Sequence, residues 1–404
     1  MTAPEPHREA TSFDRAFTSD AIWPSRVWQD PWMLRVLIVS ASYGSGHNEA
    51  ARSLAAEFEA QGARTTTIDH FRDLVHPLFA RASRALYYAL LRRAPAVWAA
   101  AYAAGDRIPS GSLLTFGMSH IGTAGVRRAL GELAPDVVVT VHATPATVMS
   151  GLVAAGVRVP PHTTVVTDFV AHSQWMASHV DRYCVAAEEV RREFVARGIR
   201  RERVAVTGVP VRAEFARRLA PGDVRRQLGL SPRLPVVLVM AGSQGRLGHL
   251  DEAVRVLVGA ERPLEGIVVA GRDERLRVHL ERLAAGRAVR VLGYANDVPR
   301  LMAAADLLVT KAGGMTLAEA LASELPMLLW GSLPGQERRN ERFAARAGVA
   351  LVARSRRELG RHLERALDDP ELLAELRSRI DRVRRPDAAR RIVTEVLERR
   401  PRLV

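Results

Sequence analysis

One cysteine, Cys184, occurs in the 404 residues. A single thiol excludes an internal disulfide framework and a clustered cysteine metal site, and it fits a reducing cytoplasm. One lysine, Lys311, stands among 58 basic residues, and the other 57 are arginine. The plain source of such an excess is a GC-rich genome. Against that background a lone lysine marks a place that needs a compact ammonium in preference to a planar fork. No apolar run approaches the roughly 18 residues of a membrane-crossing helix, so no span is expected. The stretch from Met1 to Asp30 mixes charges of both signs and has no apolar h-region, so no secretory signal is expected either. Aromatic residues make up 5% of the chain and cluster in one segment, which disfavours an RNA-stacking surface and nucleic acid as a partner. No Asp-x-Asp occurs anywhere. Sugar transferases that hold their nucleotide through a divalent metal usually need such carboxylates.

What is present is a globular composition, with 48% hydrophobic and 25% charged residues, long enough for two or three domains at roughly 150 residues each. The net charge of +14 attracts polyanions: nucleic acid, anionic lipid or a nucleotide diphosphate. Residues 1–33 form a tail without periodicity that carries Trp23, Trp28 and Trp32. These indoles either dock on the body or sit in a membrane interface.

From Leu34 the pattern is ordered. Leu34 to Ser40 is a short apolar run, as expected of a parallel strand buried on both faces. Gly44-Ser45-Gly46-His47 turns the chain, helical spacing follows to Glu59, and a second strand ends at Asp69. Further strands are expected at 136–141, 163–167, 182–186 and 203–207, and a linker runs from Gly208 to Gly222. A second series opens at 235–240 and continues at 266–270, 289–292, 307–310 and 327–330. Two α/β halves, each opening on a strand that enters a Gly-rich turn, predict two Rossmann-like domains facing a cleft. The boundaries are 34–212 and 213–385, with a C-terminal helix in 386–404. Residues 79–106 differ: Tyr87, Tyr88, Trp98 and Tyr102 interleave with Arg81, Arg84, Arg92 and Arg93. They form either a core helix pair broken at Pro95 or a basic, aromatic element lying in a membrane interface.

Two clusters carry chemistry. Gly44-Ser45-Gly46 allows a phosphate or sugar to approach the backbone ahead of a helix N-terminus, or it is simply a tight turn. Glu49 occupies the third glycine position of a dinucleotide fingerprint, so NAD is not expected. His47 at the helix start tends to stay neutral and can act as a base. The second cluster runs from Thr310 to Glu319 and contains Lys311, Gly313, Gly314 and Thr316. Thr316 and Glu319 are spaced as a capping box. Alternatively, the helix N-terminus takes a diphosphate and Glu319 accepts ribose hydroxyls, which the paired glycines and the lone lysine favour. Gln336 and Glu337 suit sugar hydroxyls.

These motifs resemble those of the diacylglycerol glycosyltransferases, the bacterial processive glucosyltransferases and monogalactosyldiacylglycerol synthases. The resemblance runs from about Leu34 to about Arg354. It rests on Ser42 to His47, Thr167-Asp168-Phe169 with His172 and Trp175, and Thr207 to Val211. It continues through Met240 to Ser243, Gly293-Tyr294, Thr310 to Glu319 and Pro334 to Glu337. It implies an α/β GT-B fold with the UDP-sugar on the C-terminal domain and the lipid acceptor on the N-terminal one. It also implies inverting, metal-independent transfer of glucose or galactose to diacylglycerol, with no cofactor. His47 would be the base, with Asp168 as a second candidate or as the group that orients the histidine. Gly293 and Tyr294 would meet uracil, Gly314 and Thr316 the diphosphate, Glu319 the ribose, and Gln336 and Glu337 the hexose. Gly46, Ser243 and Lys311 complete the donor set. Residues 79–106 match a membrane-contacting insertion, with Arg81, Arg84, Tyr87, Arg92 and Trp98 toward acceptor and anionic lipid, on the cytoplasmic face of the cell membrane. Ser45 and Asn48 depart from the family, which often has Gly and a basic residue there. Alternatives are a UDP-GlcNAc-dependent lipid transferase, a UDP-sugar epimerase, or a basic non-enzymatic binding protein.

Overall fold

A computed structural model describes residues 33–108, 120–242 and 249–398. Trp23, Trp28, Trp32 and Ser243 lie outside them. The first sheet holds β1 (Arg35–Ser40), β2 (Arg64–Asp69), β3 (Val137–Thr140), β4 (His162–Val165), β5 (Arg182–Val185) and β6 (Val204–Val206). All pair in parallel, in the order β2-β1-β3-β4-β5-β6. The second sheet holds β7 (Val236–Met240), β8 (Glu265–Val269), β9 (Val289–Leu292), β10 (Leu307–Thr310), β11 (Met327–Leu329) and β12 (Ala350–Val352). It too is parallel, ordered β12-β11-β10-β7-β8-β9, the dinucleotide-binding order. The central strands are buried because helices cover both faces, which is why β1, β3 and β7 read as unbroken apolar runs. The short β12, which the apolar pattern does not reveal, follows the left-handed turn at Gly348.

In each sheet the strand order reverses beside the first strand, between β1 and β3 and between β7 and β10. Ligand crevices form at the carboxyl ends of strands at such a reversal. The helices that reach it are α1 (Ser45–Ala60), α4 (Ala143–Ala154), α5 (Gly314–Ala322) and α6 (Gln336–Ala347). Among the described residues no further strand pairs with β2. The chain after it goes on to form a helical hairpin, α2 (Pro77–Arg93) and α3 (Pro95–Gly105), joined at Ala94 before Pro95. Proline disfavours helical geometry in the residue before it, so α2 ends where the sequence predicts a break.

The C-terminal helix α7 (Ala388–Leu397) returns to pack on α1, and its Glu395 pairs with Arg182 of the first half. This return needs Gly208, at φ +93°, where an added Cβ would lie 2.5 Å from Arg385 Cβ. The strand expected to reach Thr167 ends at Val165, and Thr167 and Asp168 leave the sheet to enter the cleft.

Candidate active site

The amino ends of α1 and α5 face each other across the cleft. Neither has a side-chain cap, so no capping side chain satisfies the first-turn amides of either helix. The two ends approach closely because of glycine. A Cβ on Gly46 would lie 2.9 Å from Met315 Cγ, and one on Gly314 would lie 2.1 Å from the Thr167 carbonyl. The helix α5 starts at Gly314, so Thr316 lies inside it and the capping box suggested by Thr316 and Glu319 does not form.

Three cavities adjoin at this point. The first, of about 190 Å³, lies under Tyr294 and is lined by Glu49, Arg52, Arg212, Thr316 and Glu319. Glu319 is one of its lining residues. Desolvation pushes its carboxyl up to about 8, the charge of Glu49 adds to this, and Arg212 opposes it. The Arg272 guanidinium lies 4.4 Å from the Tyr294 ring centre. Gly293 precedes Tyr294 without lining the cavity, beside Arg277 and the Gly271 carbonyl.

The second cavity, also about 190 Å³, is lined by Lys311, Gly313, Gly314, Thr316, Gln336 and Glu337 from one half and by Tyr43, Gly46, His47 and Tyr87 from the other. Lys311 forms an ion pair with Glu337, whose other oxygen accepts the Leu333 amide at 2.8 Å. The lone ammonium thus stands inside the cleft, close to Gly242.

The third cavity, about 130 Å³, is lined by His47, His142, Asp168, Tyr102, His172 and Trp175 among others. His47 and Asp168 border both it and the second cavity. His47 Nδ1 lies 2.8 Å from the Val141 carbonyl and 3.1 Å from Thr167 Oγ1. Donation to the carbonyl places the ring proton on Nδ1 and leaves Nε2 as an acceptor. Burial lowers the His47 pKa, and the Asp168 charge partly offsets this, so the ring is neutral near pH 7.

Asp168 does not orient the histidine, because the Val141 carbonyl does so. Its carboxylate instead ties the halves together, accepting from Gln336 Nε2 and, at 3.1 Å, from Asn340 Nδ2. Asn340 is fully buried and also accepts from the Phe169 amide at 3.0 Å.

Of the residues expected toward acceptor and membrane, Tyr87 and Trp98 turn to the cleft side: their rings meet edge to face at 5.1 Å, Tyr87 lines the second cavity, and Trp98 packs beside Gly335 of the other half. Tyr43 anchors the hairpin through Ser83 at 2.6 Å. The outer surface carries the exposed Leu78, Phe79, Leu86 and Val97 with Arg81 and Arg84. Arg92 donates to the Tyr88 carbonyl at 3.1 Å and borders a separate groove near Arg338 and Trp330. Sequence reasoning missed His142, Asn340 and Arg212, and it gave Tyr43, inside the Ser42 to His47 stretch, no role of its own. His142 follows β3 and was detectable as a polar residue at a strand's carboxyl end beside the reversal. Asn340 left no signal, since its partner is 172 positions away.

Two parallel Rossmann-like sheets whose reversal points share one cleft, with opposed helix amino ends, define a protein of the GT-B class. The solved MurG of Acinetobacter baumannii shares this fold at TM-score 0.61 and 15% identity, over 91% of this chain and 99% of that one. So does UDP-GlcNAc 2-epimerase from Neisseria meningitidis bound to UDP-GlcNAc, at TM-score 0.58 and 14% identity, over 90% of this chain and 100% of that one. Sequence comparison is narrower. Residues 47–211 match the monogalactosyldiacylglycerol (MGDG) synthase family, and residues 236–391 match the glycosyltransferase family 28 C-terminal domain. The chain is similar to the processive diacylglycerol beta-glucosyltransferase of Bacillus subtilis (strain 168), with 28% identity over 366 residues, 90% of this chain and 95% of that protein. Its two halves thus match two glycosyltransferase family models, and over nine tenths of its length the chain is similar to the diacylglycerol glycosyltransferases.

Proposed function

We propose that this protein transfers a hexose, glucose or galactose, from a UDP-sugar to the free hydroxyl of diacylglycerol, in one displacement that inverts the anomeric carbon and uses no metal. The observation that carries this reading is the placement of His47, with an unprotonated Nε2, on the wall between the second and third cavities. In this reading the nucleoside occupies the first cavity, with Glu319 on the ribose and Tyr294 on the uracil. The diphosphate and hexose occupy the second, and the lipid hydroxyl enters the third. His47 Nε2 takes the hydroxyl proton as the oxygen bonds to the anomeric carbon, and the carbon–phosphate-oxygen bond breaks with its electron pair leaving on UDP. The amides of Gly314, Met315 and Thr316 and the Lys311 ammonium meet the charge that develops there.

The outer face of the hairpin supports a peripheral position on an anionic membrane, and this reading takes that to be the cytoplasmic side of the cell membrane. Apolar side chains there can enter the interface while Arg81 and Arg84 reach phosphate. Among the described residues no helix is long and apolar enough to cross a membrane. The test is incubation with radiolabelled UDP-glucose, UDP-galactose or UDP-GlcNAc and diacylglycerol vesicles, with and without a chelator. A β-linked glycolipid that forms equally in chelator is expected. Absence of any lipid product rejects the acceptor, an α-linked product rejects the single displacement, and loss in chelator rejects the metal-free step.

A further inference from the structure

His142 is a chemistry-bearing side chain for which the proposed transfer has no use. It stands at the amino end of α4, where its Nδ1 accepts the Thr144 amide at 3.1 Å. A neutral ring that accepts at Nδ1 carries its proton on Nε2. Burial lowers its pKa well below the usual histidine value, so the ring is neutral at physiological pH. Among the described residues, Nε2 has no hydrogen-bond partner. The ring lines the third cavity beside His47, edge to face with centroids 4.8 Å apart. Tyr43, Phe71 and Trp175 surround it. Capping a helix requires only Nδ1, so the cap leaves the other nitrogen unexplained.

The two histidines are held in opposite tautomers. His47 donates from Nδ1 to the Val141 carbonyl and presents a bare Nε2. His142 accepts at Nδ1 and presents Nε2–H. One cavity wall therefore offers one acceptor and one donor, and a hydroxyl is the small group that needs both. We infer that His142 donates from Nε2 to the oxygen of the acceptor alcohol whose proton His47 removes. The inference rests on the reading that the third cavity receives the acceptor. With its proton on His47 and one lone pair on His142, the hydroxyl has its second lone pair left to face the anomeric carbon. The pair thus orients the nucleophile, and it selects an alcohol over a group that only donates or only accepts.

His142→Asn separates this role from the cap. The asparagine oxygen can still accept the Thr144 amide, but the side chain is too short to place a donor where Nε2 stood. The variant is expected to keep its melting point and its UDP affinity, while kcat/KM for diacylglycerol falls about 10- to 100-fold. A folded variant with wild-type kcat/KM for the lipid overturns the inference. Long-range proton–nitrogen spectra of wild-type protein with ¹⁵N-labelled histidine give a check that needs no catalysis and no variant. Protonation of His142 on Nε2 and of His47 on Nδ1 is expected, and the same tautomer on both rings overturns it. Failure of the broader reading looks different: wild-type protein makes no lipid product, while the spectra still show the opposed tautomers.

Discussion

Glu319→Gln separates the free-energy cost of a desolvated carboxylate from its use in binding. The Glu319 carboxyl is raised from 4.5 to about 8 by desolvation, with Glu49 adding to the effect. Between those two values the folded protein holds a proton that the unfolded chain has released. The stability gained from holding it is complete below 4.5, is lost as pH rises, and levels off above 8. From pH 6 to pH 8.5 the wild type therefore loses about 2–3 kcal/mol at this residue, at roughly 1.4 kcal/mol per unit below the folded pKa. Glutamine is close in shape to the protonated acid and carries no such slope. Melting points of wild type and variant should converge only near pH 4.5, lie a few degrees apart at pH 6 and separate further at pH 8.5, the variant being the more stable. Binding of UDP-glucose, whose diphosphate does not titrate in this range, should run the other way. Both ribose hydroxyls can donate to an ionised carboxylate, so wild-type affinity should rise by at most on the order of 10²-fold from pH 6 to pH 8.5. The variant should stay flat, and at pH 8.5 it should bind more weakly by about 1.5–3 kcal/mol. Calorimetric titration and thermal melts at both pH values measure the two effects. Parallel curves for wild type and variant in both assays would refute the argument, because they would mean that the cleft does not desolvate this carboxyl.

His47→Ala should lower turnover by about 10²- to 10⁴-fold and leave UDP affinity unchanged, since the second half holds the nucleotide; retention of more than a tenth of wild-type turnover would assign the base elsewhere. Gly314→Ala should destabilise the protein by about 1–3 kcal/mol and reduce turnover, because the new methyl would meet the Thr167 carbonyl at 2.1 Å; a wild-type denaturation midpoint would show that the halves can move apart freely. Lys311→Arg should reduce turnover despite conserving charge, because a planar guanidinium cannot replace a compact ammonium paired with Glu337 and packed near Gly242. Replacing Arg81, Arg84, Arg92 and Arg93 together with Gln should release the protein from phosphatidylglycerol vesicles at low salt, each cation being worth about 1 kcal/mol; sedimentation of the variant with vesicles would place the attachment elsewhere.

The alternation of apolar runs with helical spacing was enough to reveal the two halves, because strands covered on both faces must be apolar along their length. The glycine pairs, the histidine and the lone lysine were legible for a related reason: close backbone approach and a compact cation each restrict a position to one residue type. Local spacing could not settle the rest. Thr316 and Glu319 have the spacing of a cap, and only the start of α5 at Gly314 turns Glu319 toward a cavity instead. The aromatic residues of the hairpin read equally well as core or as interface. Contacts with Tyr43 and Gly335, distant in sequence, turn Tyr87 and Trp98 inward and leave Leu86 and Val97 outside. Asp168 has the look of a base or an orienting group until Asn340 and Gln336 reach it from the other half. The sequence by itself determined the two parallel sheets and the residue types at their switch points, since backbone conformation and burial act within a few residues of each position. Which nitrogen of His47 is bare, which carboxylate is desolvated and which aromatic face meets water were decided only by tertiary structure. Each depends on a partner brought from the opposite side of the cleft or from a separate strand, and nothing in the local pattern encodes it.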